Sequence, residues 1–306
     1  INDYKEYYYI ITYFRKIKKM QFFKRKISDV QIGFLFMFVT VFCFPTMDVF
    51  AKILTKDLPI FQIVWARYLG QFIIILLIFF PTIGEISKTK FLKIQLFRSI
   101  ALFCGTIGFF SALKYLTLAE TTAIMMIAPL LITLLAFIFL NETFGLYKIF
   151  CLIIGLIGSF LVIKPQSGSF QIHMFLPFIA AFSYSIYQLL TRFLGNSESP
   201  KTTLFYTAGF GAVMTSIFVP FIWVTPTNFY QIFFMVCMPI FGGIGHYCLI
   251  LALTKVEATT LAPINYMSLV FAMFWGYVVF FDLPQISTLF GSLLIVLSGI
   301  YLWYRN

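Results

Sequence analysis

Hydrophobic residues occur in ten long runs, which short polar stretches separate. The runs cover approximately residues 31–54, 58–82, 93–115, 118–141, 145–163, 171–193, 202–224, 229–253, 257–281 and 285–304. About 20 apolar residues in an α-helix cross a hydrocarbon layer about 30 Å thick, so each run predicts one membrane-spanning helix. The strands of a membrane β-barrel are shorter, about 10 residues of alternating character. The pattern therefore predicts an all-α membrane protein with ten transmembrane helices.

The ten runs divide into two halves of five, residues 31–164 and residues 171–305. Because five is odd, the second half must begin on the opposite side of the membrane from the first. This arrangement predicts two inverted five-helix repeats, which are typical of secondary transporters. Residues 1–30 form a basic N-terminal tail, and a natural start at Met20 would leave residues 1–19 upstream of the protein.

Composition agrees with a membrane protein. Hydrophobic residues make up 61% of the chain and charged residues 11%, far from the balance of a water-soluble domain. The five cysteines lie inside apolar runs without a C-x-x-C pair, so they indicate packing and not a metal site. We expect no cofactor.

The net charge of +11 is distributed unevenly along the chain. With the N-terminus in the cytoplasm, sixteen of the 22 lysines and arginines fall on the cytoplasmic side, four fall outside, and two lie within spans. This bias predicts a multi-pass protein of the inner (plasma) membrane with both termini in the cytoplasm. The basic tail predicts attraction to anionic lipid, and we expect no nucleic-acid partner.

The two halves share a local pattern at the fourth and ninth runs. The fourth run opens Ala119-Glu120-Thr121-Thr122, and the ninth opens Glu257-Ala258-Thr259-Thr260. Each run is followed by an acidic residue, Glu142 in the first half and Asp282 in the second. The correspondence indicates an internal duplication.

At these residues the chain resembles the EamA family of the drug/metabolite transporter superfamily. The resemblance is carried by Trp65-Ala66-Arg67-Tyr68, Phe97-Arg98-Ser99, Ala119-Glu120-Thr121-Thr122-Ala123, Pro129, Asn141-Glu142, Ala262-Pro263-Ile264-Asn265-Tyr266 and Phe281-Asp282-Leu283-Pro284. It covers roughly residues 30–305, as two repeats. Asp282 stands where the family usually has Glu. Within the superfamily the chain looks most similar to bacterial carriers for S-adenosylmethionine or riboflavin uptake.

The resemblance implies a ten-helix fold of two inverted halves. It implies a central cavity lined mainly by the first, third, fourth, sixth, eighth and ninth helices, with the fifth and tenth at the periphery. It also implies transport by alternating access without ATP.

Charges inside apolar runs are the first candidates for function, because a charge in lipid is costly. Asp48 and Lys52 lie one helical turn apart in the first run and can pair. Arg67 lies in the second run and Arg98 in the third. Asp48, Lys52 and Arg67 are interpreted either as a structural charge set or, through Asp48, as a proton-coupling group. Arg98 either bonds helix-end carbonyls and acidic side chains or presents its donors to a substrate carboxylate or phosphate.

Further polar residues form a candidate cavity wall. Tyr184, Tyr187 and Gln188 share one helical face at offsets of 3 and 4 residues. His246 follows a glycine-rich stretch, and Asn265 and Tyr266 lie in the ninth run. With Arg98, the predicted substrate-binding residues are therefore Tyr184, Tyr187, Gln188, His246, Asn265 and Tyr266. Hydrogen bonding between helices is the competing interpretation.

Glu120 and Glu257 stand at predicted helix starts, where a carboxylate interacts favourably with the helix dipole. We therefore interpret both as helix-start caps, with no catalytic role.

The function predicted is secondary active transport of a small polar metabolite. Two intramembrane arginines against one aspartate favour an anionic or zwitterionic substrate. A channel, a non-transporting membrane scaffold or a membrane-embedded enzyme are the alternatives. An enzyme is disfavoured because the two histidines, His173 and His246, lie far apart and no metal-binding spacing such as H-E-x-x-H occurs. The absence of a phosphate-binding G-x-x-x-x-G-K-[ST] loop excludes ATP-driven pumping by this chain alone. The oligomeric state stays open, with a homodimer as one option.

Overall fold

The computed structural model describes residues 28–142, 145–162, 172–195, 197–282 and 286–305. The predicted tail up to residue 27, including Met20, lies outside these residues, as do Leu283 and Pro284. The regular structure in the described ranges is all helical, as predicted. The longer helices are α1 (Asp29–Leu54), α2 (Ile60–Ile78), α3 (Leu92–Leu113), α4 (Leu118–Met125), α5 (Ala128–Leu140), α6 (Leu146–Val162), α7 (Phe175–Leu194), α8 (Pro200–Ile222), α9 (Phe229–Lys255), α10 (Met267–Phe280) and α11 (Ile286–Arg305).

Eight helical segments of the described chain are long and apolar enough to cross a membrane. They correspond to the predicted first four spans and to the sixth through ninth. The predicted fifth and tenth spans fall on α6 and α11, whose apolar stretches, Leu146–Gly158 and Leu293–Leu302, are shorter. The membrane-spanning character is therefore confirmed, whereas a count of ten spans is not.

The predicted fourth and ninth spans are each broken by a proline. Between α4 and α5 the chain makes a turn at Met126 and Ile127, just before Pro129. In the ninth span a single turn, Ala258–Leu261, leads into a 3-10 helix, Ala262–Tyr266, which contains Pro263. Proline has no backbone N–H and its ring clashes with the preceding turn, so it favours a kink or a break in an α-helix. Both halves thus place irregular backbone at the corresponding position.

Packing between the helices follows the internal duplication. Helix α1 of the first half packs along α9 of the second, and α7 of the second half packs along α3 of the first. The pairs α2 with α8 and α6 with α11 join equivalent helices of the two halves. Exchanging the halves converts the first two contacts into each other and each of the last two into itself, which is the pattern expected of two halves related by a two-fold axis.

Buried polar side chains lie inside the bundle, and many large apolar side chains lie on its surface. Arg67 and Arg98 are 2% and 0% exposed, whereas Leu77 and Phe221 are 73% and 86% exposed. A soluble protein has the opposite arrangement. The distribution suits a protein whose outer surface contacts lipid and whose centre holds a polar site.

Short connections make the helices alternate in direction, so the bundle has two ends. We call one the Asp29 end, where the start of α1 meets the end of α9 through Asp29 and Lys255. We call the other the Asp57 end, where Gln231 at the start of α9 donates to the Asp57 carboxylate at 3.0 Å.

Candidate functional site

A cavity of about 100 Å³ lies between the two halves, beside both helix breaks. Met125, Met126 and Pro129 border it at the first break, and Asn265 borders it at the second. Its aromatic and polar lining is contributed by Phe44, Asp48, Arg67, Thr106, Phe109, Phe110, Thr122, Tyr184, His246, Asn265 and Ser268. The predicted spans that line it are the six implied by the family resemblance, joined by the second span through Arg67.

The Arg67 side chain is buried and has several neutral partners. One terminal nitrogen donates to the Thr106 hydroxyl at 2.7 Å, and the other lies 2.6 Å from His246 Nε2. The guanidinium carbon lies 4.5 Å from the centre of the Tyr68 ring, a cation–π distance. Within the described ranges its Nε atom has no hydrogen-bond partner. Arg67 therefore retains an unused donor in a largely apolar enclosure.

Asp48 is the acidic residue of this cavity lining. Its carboxylate is buried and forms no ion pair with any other described residue. The sequence predicted Lys52 or Arg67 as its partner. Lys52 instead donates to the carbonyls of Leu113 and Leu116, at 3.1 and 2.7 Å. The cavity thus contains one buried arginine and one buried aspartate on different helices.

Arg98 lies behind the cavity wall and outside the lining. It donates to the Thr191 hydroxyl at 3.1 Å, to the Thr203 carbonyl and to the Thr207 hydroxyl. Its guanidinium carbon is 5.0 Å from the centre of the Tyr187 ring, which stands between Arg98 and the cavity. The interpretation that it bonds a carbonyl near a helix end agrees with the contact to Thr203, in the first turn of α8.

The remaining predicted substrate residues divide between the lining and the layer behind it. Tyr184, His246 and Asn265 line the cavity. Tyr187, Gln188 and Tyr266 are buried but outside the lining, and Tyr266 packs closely on Gly155. Tyr187 contacts the lining through its hydroxyl, 3.1 Å from His246 Nδ1.

The acidic residues near the helix starts act in different ways. Glu120 closes a capping box with Thr117, in which the Thr117 N–H donates to the Glu120 carboxylate at 2.9 Å. Glu257 forms an ion pair with Lys148 at 2.8 Å and has no capping bond of its own. The backbone N–H groups of Ala258 and Thr259 instead donate to the Glu142 carboxylate.

Glu142 also pairs with Arg192, at 2.7 Å from Nε, and Arg192 donates to the Leu253 carbonyl at 2.7 Å. At the opposite end, Lys52 and Leu113 repeat this cation-to-carbonyl contact in the first half. Burial there raises the pKa of the Asp282 carboxyl, and the nearby charge of Lys52 partly offsets this effect.

The sequence analysis missed Thr106, Phe44 and Ser268 as lining residues. Thr106 lies eight residues after Arg98, and Gln95, Ser99 and Thr106 follow one helical face. Extending the polar stripe along α3 would have found it. Phe44 and Ser268 carry no signal that separates them from the many similar residues of their spans.

These features define a membrane protein with a charged cavity at two broken helices, an arrangement known from membrane transporters. A model of the EamA-like transporter family matches residues 31–164 and 171–304. The chain belongs to the EamA-like transporter family, and the predicted resemblance is confirmed.

Several curated relatives are named as transporters. An S-adenosylmethionine uptake transporter of Rickettsia bellii is 28% identical over 85% of this chain and 89% of its own length. A pseudopaline exporter of Pseudomonas aeruginosa is 24% identical over 88% and 95%. A riboflavin transporter of Brucella anthropi is 23% identical over 77% and 86%. These relatives support the assignment of this chain as a membrane transporter.

A solved crystal structure has the same fold. It superposes with a TM-score of 0.71 at 18% identity, and the match covers 87% of this chain and 94% of the other.

Proposed function

We propose that this protein is a secondary active transporter that moves a small anionic or zwitterionic metabolite by alternating access. The observation that carries the proposal is the placement of Arg67 and Asp48 in one buried cavity without an ion pair between them. Burying an arginine and an aspartate without an ion pair between them is costly, so such side chains indicate function. A substrate that brings a carboxylate to Arg67 and an ammonium group to Asp48 would offset this cost.

The aromatic lining supports a substrate that also carries a ring. Phe44 lies 4.7 Å from the His246 ring and 6.5 Å from the Tyr184 ring, measured between centroids. A flat heteroaromatic group fits against such surfaces. The S-adenosylmethionine and riboflavin named for the relatives both contain fused heteroaromatic rings. Relatives named for uptake and for export both occur, so we leave the direction to the assay.

The size of the cavity supports a moving site. About 100 Å³ holds a few water molecules, whereas sites for metabolites usually measure about 300–1,000 Å³. Binding therefore requires the halves to separate locally. The two helix breaks provide the irregular backbone at which such motion can occur.

We place the remaining predicted site residues in two roles. Tyr184, His246 and Asn265 contact the substrate, and the layer of Arg98, Tyr187, Gln188 and Tyr266 supports them from behind. We place the protein in the inner membrane with cytoplasmic termini, on the strength of the lysine and arginine bias. Reporter fusions at the two chain ends test this, and reporters on opposite sides would refute it.

Transport is tested with purified protein in liposomes loaded with S-adenosylmethionine or riboflavin. A carrier gives saturable flux of the labelled compound that unlabelled compound on the far side stimulates. An ohmic current would instead indicate a channel, and conversion without flux would indicate an enzyme.

The site is tested with Arg67→Lys, which retains the charge but loses the planar donor fork, and with Asp48→Asn. We expect each to reduce flux at least tenfold, as about 1.5–3 kcal/mol per charged hydrogen bond implies. The control Lys255→Gln changes an exposed charge and should leave the flux unchanged.

A further inference from the structure

His246 joins the cavity to the layer behind it through both nitrogens of its ring. Its Nε2 lies 2.6 Å from a terminal nitrogen of Arg67, and its Nδ1 lies 3.1 Å from the Tyr187 hydroxyl. The side chain is 2% exposed and borders the cavity. A buried imidazole with two polar partners is held in one orientation.

The chemistry of Arg67 decides which ring nitrogen carries the proton. A guanidinium has five donors and no acceptor, so the nitrogen that faces it must offer a lone pair. His246 Nε2 is therefore the acceptor, and in the neutral ring Nδ1 carries the hydrogen and donates to Tyr187. A doubly protonated ring has no lone pair, so protonation at Nε2 breaks the contact with Arg67.

The charges that face His246 determine what could accompany that protonation. Titratable or charged groups near the ring come from α1, α2, α3 and α7: Cys43, Asp48, Arg67, Arg98, Tyr184 and Tyr187. Two of these are permanent cations. Asp48 is the one carboxyl among these groups, and a third cation in this buried site is costly unless a further anion enters. A substrate carboxylate bound at Arg67 is such an anion.

We propose that His246 is a positioning residue for Arg67 and the proton acceptor of transport, so that an anionic or zwitterionic substrate enters together with one proton. In the empty cavity the neutral ring holds Arg67 through Nε2. When the substrate carboxylate takes over the Arg67 donor, the lone pair of Nε2 becomes free and accepts a proton from the solvent. On release the carboxylate leaves, the proton returns to solvent, and the contact re-forms. This inference rests on the proposed transport function.

Linkage fixes the sign of the pH effect. If substrate and proton favour each other, the proton also tightens substrate binding by the same factor. Lower pH on the substrate side should therefore lower KM, by up to about tenfold per pH unit for one proton. The maximum rate should change less.

The test measures KM for S-adenosylmethionine, the probe used above that carries a carboxylate, in proteoliposomes between external pH 5.5 and 8. A dye trapped inside the liposomes reports proton entry, with valinomycin present to cancel the membrane potential. In the wild type we expect KM to decrease as the external pH is lowered. We also expect the liposome interior to acidify as substrate enters. The variant His246→Gln can still accept from Arg67 through its amide oxygen but cannot titrate. It should transport with a KM that is independent of pH. The substrate's own ionisation is the same for both proteins, so the difference between them isolates His246.

A second variant covers the case in which His246→Gln fails to fold. Tyr187→Phe keeps the ring beside Arg98 and removes the oxygen that holds His246 through Nδ1, so we expect KM to rise at least threefold at constant maximum rate. Asp48→Asn removes a different titratable group of the cavity, so its KM should retain the pH dependence.

The outcomes separate the two proposals. Absence of saturable flux in the wild type at every pH refutes the transport function itself. Flux without proton entry, or His246→Gln with the wild-type pH dependence, refutes only the role of His246. Loss of the pH dependence in Asp48→Asn alone would assign the proton to Asp48 instead.

Discussion

Replacing Glu142 with glutamine should destabilise the protein measurably, because this carboxylate joins the two halves at the Asp29 end. It accepts from Arg192 Nε at 2.7 Å and from the backbone N–H groups of Ala258 and Thr259 at 3.1 and 2.9 Å. All three donors belong to the second half, whereas Glu142 follows the fourth span of the first half. The side chain of Glu142 is 5% exposed and that of Arg192 is 18% exposed.

The magnitude follows from this burial. Removing one partner of a buried ion pair typically costs 3–5 kcal/mol. Glutamine keeps one acceptor oxygen, and Arg192 keeps the Leu253 carbonyl and some solvent contact, so we expect about 2–3 kcal/mol. On the scale of soluble proteins this lowers the unfolding temperature by about 4–10 °C.

A matched control exists in the pair Lys255–Asp29. It has the same length, 2.7 Å, and also joins the two halves at the Asp29 end. Its side chains are 33% and 72% exposed, so solvent screens the charges and exposed pairs contribute little. Asp29→Asn should leave the unfolding temperature unchanged.

Tryptophan fluorescence during heating, in one detergent and at one pH, measures the unfolding temperatures. A double-mutant cycle with Arg192→Gln then isolates the interaction, for which we expect a coupling of about 1–3 kcal/mol. Equal shifts for Glu142→Gln and Asp29→Asn would refute the reasoning, since they would show that burial does not determine the contribution of these pairs.

Other predictions concern packing and the second arginine. Gly211→Ala should destabilise the protein by about 1–3 kcal/mol, because the added carbon would lie 2.3 Å from the Tyr68 ring. Gly84→Ala is the control, because its added carbon would have no atom within 4 Å. Equal unfolding temperatures for the two variants would contradict this reasoning. Arg98→Ala should reduce flux in proteoliposomes by more than it reduces the amount of folded protein, because the support behind Tyr187 is lost. Wild-type flux per folded molecule would remove Arg98 from the site.

Local chemistry in the sequence accounts for much of the fold. Apolar run lengths predicted the spans, because the thickness of the bilayer sets the length of a helix that crosses it. Pro129 and Pro263 favour a break through their missing N–H, but Pro45, Pro220 and Pro239 lie inside continuous helices, so a proline alone does not decide where a helix stops. The capping box of Thr117 and Glu120 follows a spacing of three residues, which is legible in any sequence.

Only the tertiary structure separated Arg67 from Arg98. Each is a single arginine in an apolar span, and nothing in the neighbouring residues shows which one reaches the cavity. Helix α3 turns Arg98 toward Thr203 and Thr207 of α8, whereas α2 turns Arg67 toward Thr106 and His246. These partners lie 39 to 179 residues away in the chain. Run lengths, charge bias and prolines thus determined that this chain is a helical membrane protein, while the rotation of each helix against its neighbours decided which polar groups meet, because that rotation depends on packing between distant segments.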